Sequence, residues 1–415
     1  GAEVVPFENN SIEGSNSVLE RDWNRYLEDV ARANKLICNI DLVTDNSLTT
    51  AERAQYKAEA KIFRAMVMFD MVRLWGDFPV ITTVADDITS ENIDEVYPQY
   101  FPKQNTELEA YQQIEKDLLD AVLYAPDNTP GNKTLFSKSV ARTLLAKIYA
   151  EKPLRDYTKV IQYCDEVKAD GFDLVDDFSD LFGMNAAGTD AKMRNTKESI
   201  LEAQFTSGAG NWCTWMFGRD LVNWNNNFTW AKWVTPSRDL ISAFKQEGDE
   251  VRFKESIVYY DCNWSNYYPS DNYPFMYKCR SANSSIIKFR YADVLLLKAE
   301  ALIMQDTPDL EGAADIIDEV RDRAKLGALP TSVRSNKNAM LNALLKERRL
   351  ELAFEGQRWF DLVRLDKVEE VMNAVYAKDS GRKAQIYTFD KNSYRLPIPQ
   401  SVIDANDKIH QNPGY

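Results

Sequence analysis

The sequence has one histidine, His410, five residues from its end. Imidazole-based zinc sites, Ser-His-Asp triads and Cys-His dyads are therefore largely excluded. Its neighbours Lys408, Ile409, Gln411 and Asn412 are the company of a surface residue. The five cysteines, Cys38, Cys164, Cys213, Cys262 and Cys279, include no C-x-x-C pair. An odd number without paired spacing forms neither a disulfide framework nor a metal knuckle. Cys262 and Cys279 flank one Tyr-rich loop, and the sequence leaves a bridge between them open. No run of about 18 apolar residues is present to span a bilayer. Gly1 leads directly into a polar stretch that has no signal-peptide pattern. Basic residues are outnumbered 50 to 64, a net charge of −14. That balance repels nucleic acid, and it requires a separate anchor for any association with a membrane. P-loop, H-E-x-x-H and EF-hand spacings are missing, and Ser207-Gly208-Ala209-Gly210 lacks the third glycine of a dinucleotide fingerprint.

What is present is helical. The 415 residues are 44% hydrophobic, ample for a packed core. Between Ala58 and Leu74 the stripe Ala58, Ile62, Ala65, Met66, Phe69 and Val72 has helix spacing, and a second stripe predicts burial on two sides. Gly76 and Pro79 supply its stop. Ser137 is a candidate cap for a helix to Glu151, followed after Pro153 by a partner over Tyr157–Lys168. The same grammar returns in Tyr291–Met304 with a partner from Glu311 to Lys325, and in a further helix from Ala339 to Glu355. Two Ala-bearing helix pairs of this length resemble degenerate tetratricopeptide repeats, ordinary antiparallel packing being the plainer reading. Glu198–Phe205 and Ser285–Phe289 read as short strands. The expected fold class is all-α, a tetratricopeptide-like scaffold with an irregular, loop-rich region.

That region runs from 206 to 280. It holds six of the nine tryptophans: Trp212, Trp215, Trp224, Trp230, Trp233 and Trp264. Tyr259, Tyr260, Tyr267, Tyr268, Tyr273 and Tyr277 accompany them, with Asn211, Asn223, Asn225, Asn226, Asn227, Arg219 and Asp220 between. A sugar ring has an apolar C–H face and a rim of hydroxyls. Flat aromatics cover the first, and amides, carboxylates and guanidinium groups bond to the second. The composition therefore fits a carbohydrate site, although any one ring also serves to pack an irregular segment onto the helices.

Glu347, Glu351 and Glu355 share one helix face, a pattern that in principle suits glycosidase carboxylates. With Arg348, Arg349 and Arg358 interleaved, they read instead as ion-paired structural groups. Asp176, Asp177 and Asp180 leave a calcium contact open, although so loose an acidic cluster is ordinarily a set of exposed carboxylates. No catalytic residue, metal site or cofactor is expected.

Several blocks resemble one family. KAEAKIFRA (57–65) with RLWGDFPV (73–80), RYADVLLLKAEA (290–301), VRDRA (320–324), ERRLELAFEGQRWFDLVR (347–364), and LPIP (396–399) through QNPGY (411–415) follow in order the conserved blocks of SusD/RagB proteins. The resemblance implies one domain over 1–415. It comprises an N-terminal helical part over 23–205, a variable ligand-binding region over 206–280, and C-terminal repeat-like helices over 281–415. It also implies a non-enzymatic lipoprotein on the outer leaflet of the outer membrane that binds oligo- or polysaccharide. Such a protein delivers its ligand to a SusC-like TonB-dependent transporter, and its lipid anchor would lie outside this chain. Trp75 and Trp359, inside motif blocks, are expected in the core. The expected ligand contacts are Trp212, Trp215, Trp224, Trp230, Trp233, Trp264, Tyr267, Tyr268, Asn211, Asn225, Asn226 and Arg219. Asn10 and Arg21, in and beside the loop that precedes the Trp23–Tyr26 helix, are added because that loop often borders the family's site. The competing expectations are a peptide- or protein-binding repeat scaffold and, more remotely, a glycoside hydrolase.

Overall fold

A computed structural model describes residues 2–206, 210–211, 234–263 and 265–415. Its scaffold is a stack of helices: α1 (Ser17–Asn39), α2 (Thr50–Trp75), α3 (Glu107–Ala121), α4 (Lys138–Ala150) and α5 (Tyr157–Ala169). After the variable region come α6 (Arg238–Glu247), α7 (Glu250–Ser256), α8 (Tyr291–Met304), α9 (Leu310–Arg323) and α10 (Lys337–Glu351). Successive helices pack in order from α1 to α5, and α8 lies against α5, α9 and α10. The two repeat-like pairs, α4 with α5 and α8 with α9, thus stack on each other, each burying the face its neighbour leaves open. No helix among the described residues is long and apolar enough to cross a membrane.

The local signals explain the boundaries. The Thr49 hydroxyl accepts from the Glu52 amide at 3.2 Å while the Glu52 carboxylate accepts from the Thr49 amide at 2.9 Å. This reciprocal cap starts α2 a full two turns before the apolar stripe begins. Gly76, at φ +76°, ends it. Ser137 caps α4 as expected, its hydroxyl accepting from the Val140 amide. α10 is shorter than the periodicity suggests. It stops at Glu351, where Phe354 (φ +65°) and Gly356 (φ +74°) turn the chain.

Strands β1 (Ser199–Ala203), β2 (Ile257–Tyr260), β3 (Tyr273–Met276) and β4 (Ile286–Arg290) form two antiparallel pairs. β1 pairs with β4, Ala203 opposite Ile286, and β2 with β3, Tyr260 opposite Tyr273. The β2–β3 hairpin lies inside the variable region and carries its tyrosines.

The main core runs from Leu19 to Ile409. Trp23 meets Trp75 edge-on at 5.3 Å, and the Trp75 indole donates to the Pro397 carbonyl at 3.2 Å. Asn412 donates to the carbonyls of Trp75 (2.8 Å) and Leu396 (2.7 Å). The C-terminal motif blocks therefore lock onto the end of α2. Trp359 packs in a smaller cluster against Phe389 at 6.0 Å.

Buried charge ties the helices together. Arg64 of α2 grips Asp117 of α3 through two bonds of 2.8 and 2.6 Å. Asp293 of α8 receives Lys147 of α4 at 2.6 Å and Arg348 of α10 at 2.8 Å. Burial alone would raise the Asp293 carboxyl, but the two cations outweigh it and hold it well below the usual range. A folded value below the unfolded one means stability that is present above pH ~4 and is lost as pH falls through the folded value. Asp293→Asn, which leaves Lys147 with only the neutral Gln357 oxygen and Arg348 with Asp361 alone, should cost about 3 kcal/mol near neutral pH. Urea unfolding at pH 6 and pH 3 should show that penalty shrinking at the lower pH. An equal penalty at both would refute this reading of the pair.

Candidate functional site

The Ser237 hydroxyl accepts from the Leu240 amide at 3.1 Å, starting α6, and Gly248 at φ +70° ends it. Asp249 then caps α7 by accepting from the Arg252 amide at 3.1 Å, and its other oxygen holds Arg252 Nε at 2.6 Å. α7 runs straight into β2. Leu240, Ile241, Phe244 and Ile257 pack on Leu350 and Ala353, so the hairpin grows out of the end of α10.

Both feet of that hairpin are clamped by charge. On one side Arg252 donates to Glu347 at 2.6 Å and to Glu351 at 3.0 Å. On the other, Lys278 donates to Glu355 at 2.6 Å and to the Glu351 carbonyl at 2.9 Å. Arg280 closes back on Glu255 at 2.8 Å. Glu351 also receives Arg290 at 2.6 Å and Arg323. Burial pushes its carboxyl up, and Arg323, Arg290 and Arg252 together drive it well below the usual range. Burial pulls the Lys278 ammonium down to about 8. The three glutamates are thus ion-paired, as their sequence setting suggests, but not with the arginines interleaved among them in the sequence. Arg348 serves Asp293 and Asp361, Arg349 serves Asp239, and Arg358 donates to the Leu345 carbonyl. Helix spacing shows which residues share a face, not which distant strand brings the counter-charge.

The hairpin loop meets two other segments. Arg238 lies over the Tyr268 ring at 4.4 Å, pairs with Asp379 at 3.3 Å and donates to the Tyr267 carbonyl. The Tyr268 hydroxyl donates to the Pro236 carbonyl at 2.6 Å, and its ring stands edge-on to Tyr273 at 5.5 Å. Burial, then the Glu8 carboxylate, push the Tyr267 hydroxyl up, with Arg382 opposing. Arg382 itself pairs with Glu8 at 3.0 Å and lies 4.1 Å over the Tyr376 ring. Residues near 8, 267 and 380 therefore share one face.

At the hairpin tip is a hollow of about 270 Å³ lined by Asp261, Cys262, Asn263, Ser270 and Asp271. The Asp261, Asn263 and Asp271 side chains are exposed and have no hydrogen-bond partner among the described residues. Beside partly buried tyrosines, this is the pairing of flat faces with open polar groups that a polyol can use. Among the described residues no group of His, Cys, Asp and Glu is placed to hold a metal ion. Asp177 and Asp180 bind Lys192, and Asp176 binds Lys197.

Of the residues the sequence singles out, Tyr267 and Tyr268 come together here. Asn10 lies two residues from Glu8, its amide donating to the Tyr387 carbonyl at 2.9 Å. Arg21 does not join them; on α1 it pairs with its neighbour Asp22 at 2.8 Å. Asn211 is buried, its amide donating to the Ser284 carbonyl at 2.8 Å, which anchors the segment inward. Trp212, Trp215, Arg219, Trp224, Asn225, Asn226, Trp230, Trp233 and Trp264 lie outside the described residues. Arg238, Asp379, Arg382 and Tyr387 were not legible as site residues. For Asp379 and Arg382 the one signal is a polar, Gly-containing stretch at 379–385, ordinary for any loop; Arg238 lies within 206–280 but on a helical stretch of it.

A stack of helix pairs whose loops and one hairpin build a separate face defines a helical-repeat scaffold with an inserted tyrosine-bearing face. The chain belongs to the SusD/RagB family. A model described as "SusD family" matches residues 271–415, and one described as "Starch-binding associating with outer membrane" matches residues 3–150. SusD-like protein P2 of Formosa agariphila is 28% identical, the match covering 96% of this chain and 81% of that one. Starch-binding protein SusD of Bacteroides thetaiotaomicron is 24% identical over 91% of this chain and 76% of its own. The solved structure of a laminarin-binding SusD-like protein superposes with a TM-score of 0.76 at 24% identity, covering 100% and 90% of the two chains.

Proposed function

We propose that this protein is a non-catalytic glycan-binding protein of the cell surface. In this reading it captures oligo- or polysaccharide through the 206–280 region and the hairpin face and hands it to a TonB-dependent transporter. A lipid anchor outside this chain would hold it on the outer leaflet of the outer membrane. The observation that carries the reading is the density of Trp, Tyr and Asn in 206–280 together with the tyrosine-bearing face that its described part builds. Two relatives whose names state starch and laminarin binding support the ligand class. Glu347 and Glu351, the carboxylates best spaced for glycosidic chemistry, are 1% and 0% exposed beneath arginines, so no substrate oxygen reaches them.

Incubation with soluble polysaccharides, followed by assay of both retention and reducing ends, tests the non-catalytic claim. The expected outcome is retention of a polysaccharide with no new reducing ends. Release of sugar that disappears in Glu347→Gln would instead establish a hydrolase.

A further inference from the structure

A second cleft lies beside the hairpin face, between the loop at 10–14, the segment from 387 to 393 and the C-terminal motif block. It encloses about 650 Å³, within the size range of small-molecule sites. Tyr387 is 66% exposed and Tyr415 43%, so two aromatic rings line it without being committed to the core.

The walls are held in place before any ligand arrives. The Ile386 amide donates to the Asn9 carbonyl at 2.7 Å, next to the Asn10–Tyr387 bond, and Asn10 takes the left-handed conformation (φ +55°) that asparagine tolerates. The Gln400 amide donates to the Gly14 carbonyl at 2.9 Å. A Cβ on Gly14 would come within 3.0 Å of the Ile398 carbonyl oxygen, so the loop sits directly on the opposite wall. Gln411 spends its whole side-chain amide on that wall: its nitrogen donates to the Ile398 carbonyl, and its oxygen accepts from the Ile398 and Asn412 amides.

Other polar groups are left open. The Glu13 carboxylate, the Thr388 hydroxyl and the Asn392 amide are exposed, and their side chains have no partner among the described residues. The charge is one-sided: the described lining includes the acidic Glu13 and Asp390 and no lysine or arginine. A uronate or sulfate ester placed there would meet two carboxylates and no cation.

We propose that this cleft is a second glycan subsite, selective for neutral over anionic polysaccharide. Tyr387 offers its face to a sugar ring, and Asn392 and Thr388 bond to its hydroxyls. The proposal rests on the glycan-binding reading above and extends it to a second place on the same face, linked through Glu8, Arg382 and Tyr267.

Affinity electrophoresis of the whole chain tests it, with starch, laminarin, xyloglucan, galactomannan, polygalacturonate and alginate in the gels. Tyr387→Ala and Trp215→Ala/Trp230→Ala run alongside, each checked for native circular dichroism. At least one neutral polysaccharide should retard the protein and neither uronate should. Tyr387→Ala should weaken that retention about tenfold, the loss of one well-seated aromatic contact. Full retention by Tyr387→Ala, with retention lost in the tryptophan pair, overturns the subsite and leaves the glycan reading standing. Strongest retardation by a uronate overturns the selectivity. No retardation by any of the six overturns the subsite together with the reading beneath it.

Discussion

Replacing Glu351 by alanine should destabilise the protein by about 3–5 kcal/mol, because three buried guanidinium groups lose their shared counter-charge. Arg252, Arg290 and Arg323 converge on this carboxylate, and they are 0%, 1% and 4% exposed at the side chain. They come from α7, the end of β4 and the end of α9, so one substitution loosens three joints. Glu198 receives Arg290 at 2.7 Å and Arg323 at 2.8 Å and would hold part of the cluster. Arg252 would keep Glu347 and Asp249. Those residual pairs set the loss nearer the lower bound. Glu351→Gln preserves volume and some hydrogen bonding but not the charge, so it should recover only a minor part. A control such as Glu311→Ala, where Arg334 binds a carboxylate 70% exposed, should cost less than about 1 kcal/mol. Urea midpoints of the three variants decide the matter. Near-equal midpoints for Glu351→Ala and Glu311→Ala would mean that the cluster contributes no more than a surface pair.

This cluster also bears on binding. Arg252 stands at the first foot of the hairpin, and Lys278 and Arg280 at the second. Glycan affinity should therefore fall in Glu351→Ala at temperatures where the protein is still folded.

The second large effect concerns the tryptophans. Trp215→Ala combined with Trp230→Ala should weaken polysaccharide binding by about two orders of magnitude, since aromatic contacts at the centre of a site commonly contribute 1–2 kcal/mol or more each. The alternative for these rings is packing of the variable region onto the helices. The two roles separate experimentally. A ligand contact lowers affinity and leaves the urea midpoint in place. A packing ring lowers the midpoint, because Trp→Ala in a core costs about 3–5 kcal/mol. Measuring both quantities on the same double variant assigns the role.

The helices were legible because their signals are local. Tyr291–Met304 has the bounds its periodicity predicts, and Ser137 caps α4 where it stands in the sequence. The scaffold blocks were legible through family resemblance, and Trp75 packs in the core as expected, whereas Trp359 is half-buried against a smaller cluster. The bounds of α10 were not, because Phe354 adopts a left-handed backbone that no local signal marks, while Glu355 turns to Lys278 and Arg290. The hairpin escaped notice because its strands pair across a loop rich in Asn, Ser and Tyr, without an Asn-Gly or Asp-Gly turn.

The candidate site was legible only as a composition. Sequence shows that aromatics and amides gather between 206 and 280, but it cannot show that Glu8 and Arg382 stand beside Tyr267 from opposite ends of the chain. Nor does it separate Asn211, whose amide is turned into the protein, from the asparagines around it. Tyr387 illustrates the converse. An exposed tyrosine and a core tyrosine have the same sequence signature when no helix or strand period surrounds them.

The most direct test of glycan capture is calorimetric titration of the intact chain with soluble polysaccharides, wild type beside Trp215→Ala/Trp230→Ala. Saturable heat with one polysaccharide class, lost in the variant at an unchanged urea midpoint, is the result this account predicts. Equal heat from wild type and variant would place binding elsewhere on the molecule. Silence toward every polysaccharide, with saturable binding of a peptide, would contradict the account and favour a peptide-binding scaffold.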